Sequence, residues 1–344
     1  EKEGVSMLNL IMGTHAVVYP STGFYDINIY LSQAKQIKDA VQIPCMVGLG
    51  VQTASLAESI LESGQGDFIA LAKQEIADCN WPNKVKNNQE DDIRPCIKCL
   101  VGCTDNGIIG HHPIRCAVNP TVYKYYEDKY PQAKVVKNVA VIGAGPAGME
   151  AALTLVKRGH KVTVYEKRKI GGTLHEASSA DYKKDIKLFI NYYEKQAQKY
   201  HLNIIQEEAT YDTIVNGGYD ACIIATGGKP RTLDVNGLET GKVTYALNYL
   251  NGEVKFDGEN ALVIGGGITG AEVAVELAKE GKKVTIIEVM DQFLALPSAV
   301  IPAYQMAVEQ AGVKVITGHR LDYVDHDQAI IVDRFGNKKE LKAC

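Results

Sequence analysis

The chain has 344 residues, 37 basic and 41 acidic side chains, a net charge of −4 and 46% apolar residues. That length exceeds one ordinary domain, and the near balance of charge leaves no basis for a nucleic-acid or membrane-surface partner. No run of about 18 apolar residues occurs, so no transmembrane helix is expected.

The first 12 residues end in an apolar run, 5–12, fit for a buried strand, and their opening lacks the apolar core of a signal peptide. Tyr30, Ala34, Ile37 and Val41 then recur at helical spacing, followed by a strand over 43–47 that Gly48 ends. Ser55 and Glu58 have the spacing of a capping box opening a helix that Gly64 closes, and 67–71 reads as another strand. Strand–helix alternation implies a parallel sheet with helices outside it. A whole (β/α)8 barrel takes roughly 250 residues, so about three strands correspond to the C-terminal part of one, over 1–86. Gly48 and the turn after Leu71 lie at strand C-termini, where barrel enzymes bind phosphate; Gly48 as a plain turn glycine is the alternative. The polar stretch 80–92, with Pro82, reads as a linker.

Residues 87–134 hold Cys96, Cys99, Cys103 and Cys116, spaced C-x2-C-x3-C-x12-C. Clustered thiolates gather soft sulfur ligands, which suits zinc or an iron–sulfur cluster. Zinc sites usually pair two C-x2-C knuckles or mix cysteine with histidine, whereas three cysteines and a lone fourth favour the cluster. His111 and His112 read as solvated loop residues. Tyr123, Tyr125, Tyr126 and Tyr130 read as packing around the loop. Cys45, Cys79, Cys222 and Cys344 are scattered, unlike a secreted disulfide framework, and a cytoplasmic protein is expected.

Residues 138–142 form a strand, then come Gly143, Gly145 and Gly148, a helix to about Arg158, a strand over 161–165, and Glu166. This is the order of a dinucleotide fold: Gly143 for the tight turn, Gly145 for close approach to a pyrophosphate, Gly148 for helix–strand packing, and an acid for the ribose. The pattern recurs at an offset of 122 in Gly265, Gly267, Gly270 and Glu288. One copy is weak evidence; two in register are strong. Two dinucleotides imply a bound flavin and a diffusing nicotinamide. The first copy takes the flavin, because Gly171, Gly172 and Leu174 offer a second backbone approach and the strand 221–225 runs into Thr226 and Gly227. Glu288 would bond a free 2′-hydroxyl and repel a 2′-phosphate, favouring NADH. Ile186, Ile190, Tyr193, Ala197 and Tyr200 mark one face of a helix between the copies. The stretches 320–325 and 329–335 can pair, with Gly336 and Asn337 as a turn.

Taken together, the chain resembles the flavin- and iron–sulfur-containing NADH:flavin oxidoreductases of the old yellow enzyme class. The resemblance is carried by Asp92 to Cys99, Cys116 to Pro120, the first glycine motif, Tyr165 to Lys167 with Gly171 and Gly172, Tyr219 to Ala221, and Ala225 to Gly227. It implies an α/β chain: the C-terminal part of an FMN-binding TIM barrel (1–86), an iron–sulfur segment (87–134), the first part of an FAD-binding Rossmann-like domain (135–257), and an inserted NAD-binding domain (258–344). It implies a [4Fe–4S] cluster on Cys96, Cys99, Cys103 and Cys116. Electrons would pass from NADH through FAD and the cluster to FMN, which reduces an activated C=C bond of a small-molecule acid or acyl-CoA. The family places arginines near the FMN phosphate where this chain has Leu49 and Lys73. The resemblance also implies that catalytic residues lie on earlier barrel strands, so the chain corresponds to an internal fragment. An amine dehydrogenase, or an electron-transfer subunit or scaffold needing another chain, are the alternatives.

Overall fold

The computed structural model describes residues 2–11, 23–24, 27–48, 50–122, 130–240, 242–326 and 328–342. The chain divides into two compact units, Glu1–Gly228 and Lys229–Cys344. Residues 1–86, the cysteine segment and the first dinucleotide segment share the first unit. Residues 229–257 go with the second unit, although the sequence reading groups them with the FAD domain.

The first unit opens with β1 (Leu8–Leu10), α1 (Ile27–Ala40), β2 (Cys45–Val47), α2 (Ala54–Glu62) and β3 (Phe68–Ile69). The three strands are parallel in the order β1-β2-β3, as the alternation requires. Leu31, Ala34, Cys45, Val47 and Ile60 form a core on one side. Two local expectations are corrected. The cap of α2 is Thr53, in extended conformation, whose Oγ1 accepts the Leu56 N–H at 3.2 Å; Ser55 already lies inside the first turn, where its backbone is helical and no longer in the extended conformation a cap needs. The stretch read as a linker holds α3 (Lys73–Ala77) ahead of it and α4 (Trp81–Lys86) within it. Pro82 stands in the first turn of α4, where its missing N–H costs nothing, and Trp81 is buried in the core.

The dinucleotide part runs β4 (Asn138–Ile142), α5 (Pro146–Lys157), β5 (Lys161–Tyr165), α6 (Leu174–Ala177), α7 (Asp185–Lys199), β6 (Asn203–Ile205), α8 (Tyr211–Val215) and β7 (Ala221–Ile224). Its sheet has the order β6-β5-β4-β7, all parallel. The expected face of α7 is buried at Ile186, Ile190, Tyr193 and Ala197, joined by Phe189 and Tyr192.

The second unit repeats the theme with α9 (Ala246–Leu250), β8 (Asn260–Ile264), α10 (Ile268–Lys279), β9 (Lys283–Ile287), α11 (Ile301–Gln310) and β10 (Lys314–Ile316), its parallel strands ordered β10-β9-β8. An antiparallel sheet follows: β11 (His319–Val324), β12 (Gln328–Asp333) and β13 (Lys338–Lys342). The turn at Gly336, with φ +87°, joins β12 to β13, and the Asp333 carboxylate accepts the N–H groups of Phe335 and Asn337. Asn236 bridges to Tyr323, and Val235 and Leu238 pack on the core beneath this sheet. That packing is what draws residues 229–257 into the second unit. No helix among the described residues is long and apolar enough to cross a membrane.

Candidate cofactor-binding loops and cysteine centre

The first glycine loop lies at the C-terminal edge of β4, between β5 and β7. There the strand order reverses and a crevice opens for a ligand. Gly143 has φ +102°, and a Cβ on it would lie 2.4 Å from the Ala225 carbonyl oxygen. A Cβ on Gly148 would lie 1.8 Å from the Gly143 oxygen. Both positions therefore exclude any larger residue. Gly145 differs: a Cβ there meets nothing within 4 Å. The space above it is open, and the N-terminus of the 12-residue α5 faces it with unpaired N–H groups. The Gly171 N–H donates to the Ala144 oxygen at 2.9 Å, and a Cβ on Gly172 would lie 3.1 Å from Gly145 Cα. Leu174 opens α6 against the same core. Thr226 is exposed, and Gly227 follows at φ +71°, both beyond the end of β7. The residues expected to hold a flavin dinucleotide thus converge on one edge of one sheet, and the cradle fits a pyrophosphate.

Glu166 closes this loop from below. Its carboxylate accepts the Ala144 N–H and the Arg168 N–H, each at 2.7 Å. The second copy matches it: Glu288 accepts from the Gly266 N–H at 2.6 Å and the Met290 N–H at 2.7 Å. A Cβ on Gly270 would lie 1.9 Å from the Gly265 oxygen, while Gly267 faces open space. Each acid fixes its own loop through two backbone N–H groups, a role that strand-end position alone does not reveal.

The cysteine loop is built by two departures from regular backbone. Lys98 and Leu100 adopt left-handed φ values of +54° and +60°, and residues Val101–Ile109 form a widened π-helix, a form frequent at functional sites. Gly102 lies against the chain entering Cys116: a Cβ on it would be 2.4 Å from the Arg115 oxygen, and its own oxygen accepts the Arg115 N–H at 2.9 Å. This contact brings the distant fourth cysteine back to Cys103. Cys96, Cys99, Cys103 and Cys116 are free and half-buried. Burial pushes the Cys96 thiol up to about 12 and Cys99 to about 11, and raises Cys116; neighbouring sulfurs add to each shift. Such thiols become thiolates beside strong positive charge, which a bound metal would supply. As placed, no three His, Cys, Asp or Glu side chains among the described residues are grouped to hold a metal ion. Four free thiols on one loop, pinned by a glycine no other residue can replace, nonetheless suit a thiolate-ligated cluster. His111 and His112 are exposed. Tyr123, Tyr125 and Tyr126 lie outside the described residues, and Tyr130 packs under Lys157 of α5.

A buried arginine missed by sequence reading ties this loop to its neighbours. Arg94 donates through both guanidinium nitrogens to Glu150 of α5, at 2.9 and 3.2 Å, and to the Val118 oxygen beside Cys116. Its N–H reaches Asp78 at 2.9 Å, and its guanidinium stands 4.9 Å from the Tyr192 ring centre. Its only signal in the sequence is a charged residue immediately before Pro95 and Cys96.

Of the residues expected near an FMN phosphate, Gly48 packs so tightly on Ala70 that a Cβ would come within 2.9 Å of that residue's Cβ. Lys73 starts α3, half-buried; burial pushes its ammonium below the usual lysine range, with Cys96 and Cys103 opposing the shift. Leu49 lies outside the described residues.

Residues 137–343 match the family model for pyridine nucleotide-disulphide oxidoreductases. The chain belongs to that family. Among pyridine nucleotide-disulphide oxidoreductase relatives, an NADH oxidase of Thermoanaerobacter brockii is 36% identical over 92% of this chain and 50% of its own length. A cinnamate reductase of Clostridium sporogenes is 32% identical over 96% of this chain and 45% of its own. A solved 2-naphthoyl-CoA reductase superposes with a TM-score of 0.92 at 28% identity, covering 98% of this chain and 52% of that one. The chain thus spans about half the length of the curated relatives it matches. These likenesses bear out the resemblance to old-yellow-enzyme-like flavin and iron–sulfur reductases, and with the family match they support FAD and a nicotinamide dinucleotide as cofactors.

Proposed function

We propose that the chain is the electron-input part of a flavin- and iron–sulfur-dependent NADH oxidoreductase. Electrons run from NADH through FAD and a [4Fe–4S] cluster to FMN, and an activated C=C bond of an enoate or enoyl-CoA is reduced. The observation that carries the reading is the direct packing of Cys96 and Cys116 on the core that supports the first glycine loop. A metal centre there adjoins the flavin unit with no intervening domain. When bound, the cluster accepts single electrons from a two-electron flavin.

The chain's own residues supply binding and orientation. Gly143, Gly145 and Gly148 present α5 to the FAD pyrophosphate, with Gly171, Gly172, Leu174, Thr226 and Gly227 closing the crevice. Gly265, Gly267 and Gly270 do the same for NADH, and the Glu288 carboxylate disfavours a 2′-phosphate by charge. Cys96, Cys99, Cys103 and Cys116 hold the cluster. The segment before residue 87 is the end of an FMN-binding barrel, with Gly48 and Lys73 beside the phosphate. A cytoplasmic location and a small-molecule partner go with this reading.

The test is anaerobic titration of the full-length protein with NADH, alongside metal analysis. Iron, acid-labile sulfide and bleaching of both flavins, with NADH oxidised on adding cinnamate-like or enoyl-CoA substrates, are expected. Bound zinc without iron would overturn the relay. Turnover of amines in place of enoates would make the protein an amine dehydrogenase.

A further inference from the structure

The peptide of Cys96 is held on both sides by buried amide side chains, one from the loop after β2 and one from α3. Gln74, 2% exposed, accepts the Cys96 N–H at 2.9 Å through Oε1 and donates to the Arg94 oxygen at 2.9 Å through Nε2. Gln52, just beyond β2, donates through Nε2 to the Cys96 oxygen. The Gln52 oxygen in turn accepts the Trp81 indole N–H at 2.8 Å, and both residues are buried. Pro95 has no N–H to offer a ladder, so residues 94–96 cannot pair as an ordinary strand. Two primary amides reproduce the ladder instead, each supplying one donor, one acceptor, or both. The last cysteine is tied to the same helix: the Asn119 side chain donates to the Ile76 oxygen of α3 at 2.9 Å. Thus α3 reaches the first ligand through residue 74 and the flank of the fourth through residue 76.

Satisfying buried backbone explains the presence of polar partners. It does not explain why both clamps close on one cysteine peptide from separate elements of the barrel-end segment. We propose that Gln52 and Gln74 are positioning residues that fix Cys96, and with it the cluster, to the loop following β2 and to α3. The proposal rests on the cluster reading above. Its physical content is specific. Orienting partners around a metal ligand govern retention of the metal, and hydrogen bonds near ligand sulfur set the potential. The Lys98 N–H already lies 3.4 Å from Cys96 Sγ, so a shift of the Cys96 peptide changes that bond directly.

The experiment uses the full-length holoprotein and the variants Gln74→Leu, Gln52→Leu and Gln74→Glu. Measured are FAD content, iron loss to a chelator, the EPR spectrum of the reduced cluster and its midpoint potential. Both leucine variants are expected to keep FAD but to lose iron about tenfold faster or more, with altered EPR line shape. Gln74→Glu keeps the acceptor for the Cys96 N–H, so it retains iron at close to the parent rate while its added charge lowers the midpoint potential. If Gln74→Leu does not fold, the other two variants decide on the same readouts. Parent-like EPR, potential and iron loss in the folded variants would overturn the proposal. A parent protein lacking iron altogether would instead overturn the cluster reading on which it rests.

Discussion

The two glycine units are built alike where they meet a dinucleotide and differ where they meet the rest of the protein. Their third glycines would place a Cβ 1.8 and 1.9 Å from the oxygen of the first, and their acids close the loop at 2.7 and 2.6 Å. The differences begin one layer out. Gly143 is backed by Ala225 beyond β7, whereas a Cβ on Gly265 meets nothing within 4 Å. Glu150 and Glu272 sit at the same offset of 122, two residues past the third glycine. Glu150 pairs with Arg94 of the cysteine segment, while Glu272 accepts the Tyr304 hydroxyl of α11 at 2.6 Å. One helix position thus ties α5 to the cysteine segment and α10 to α11. Ligand chemistry holds the loops constant, and the neighbours decide the use of the outward face.

The largest effects should come from filling the shared contact. Gly148→Ala is expected to abolish FAD retention, and Gly270→Ala to abolish NADH-dependent flavin reduction while FAD stays bound; absorbance of the purified proteins and stopped-flow reduction check this. Next comes the outward glutamate. Arg94→Ala leaves Glu150 without its bidentate partner and should cost about 3–5 kcal/mol, with iron lost before FAD on denaturant titration. Tyr304→Phe should cost about 1–3 kcal/mol and leave iron content unchanged. Equal iron loss from both would break the comparison. The middle glycines test the ligand side alone. Gly145→Ala and Gly267→Ala have room for the methyl in the folded chain, so melting of the apoprotein should barely change. FAD affinity should fall in the first and KM for NADH should rise in the second.

The smallest effect is acid softening of the antiparallel sheet β11–β13. The Lys338 ammonium holds the Asp322 carboxyl below its usual range, and the Asn337 side chain does the same for Asp333. Because both folded values are depressed, their stabilisation is present above the ordinary carboxylate value of about 3.9 and is lost as pH falls through the lowered ones. Hydrogen exchange in β11–β13 should therefore accelerate below about pH 4, ahead of β4 and β5. Uniform exchange at that pH would remove the distinction.

Legibility in the sequence followed the range of the interaction. β4 and β5 begin and end at the residues expected from Asn138 and Lys161, and β9 matches the stretch 283–287, because apolar runs bounded by glycine are local. The spacing of Ser55 and Glu58 points to Ser55 as the cap of α2, whereas Thr53 holds that position, since both can cap and only backbone conformation chooses between them. The stretch around Pro82 read as a linker because its polar residues hide Trp81, whose burial depends on a core built from β2 and α1. The contacts of Arg94, Gln52 and Gln74 are illegible for the same reason, although Arg94 stands in the stretch that carries the family resemblance: an arginine or glutamine has no spacing rule, and each acts on a backbone group 20 to 44 residues away.

By itself, then, the sequence determined the paired glycine loops, their closing acids and the four-cysteine register. Each is a short-range requirement of backbone conformation or ligand spacing. Tertiary structure alone decided that Gly102 turns Cys116 back toward Cys103, that Arg94 and Glu150 join the cysteine segment to α5, and that buried amides grip Cys96. Those choices depend on which distant polar groups become buried together, and a buried donor or acceptor must find its partner wherever the fold has placed one.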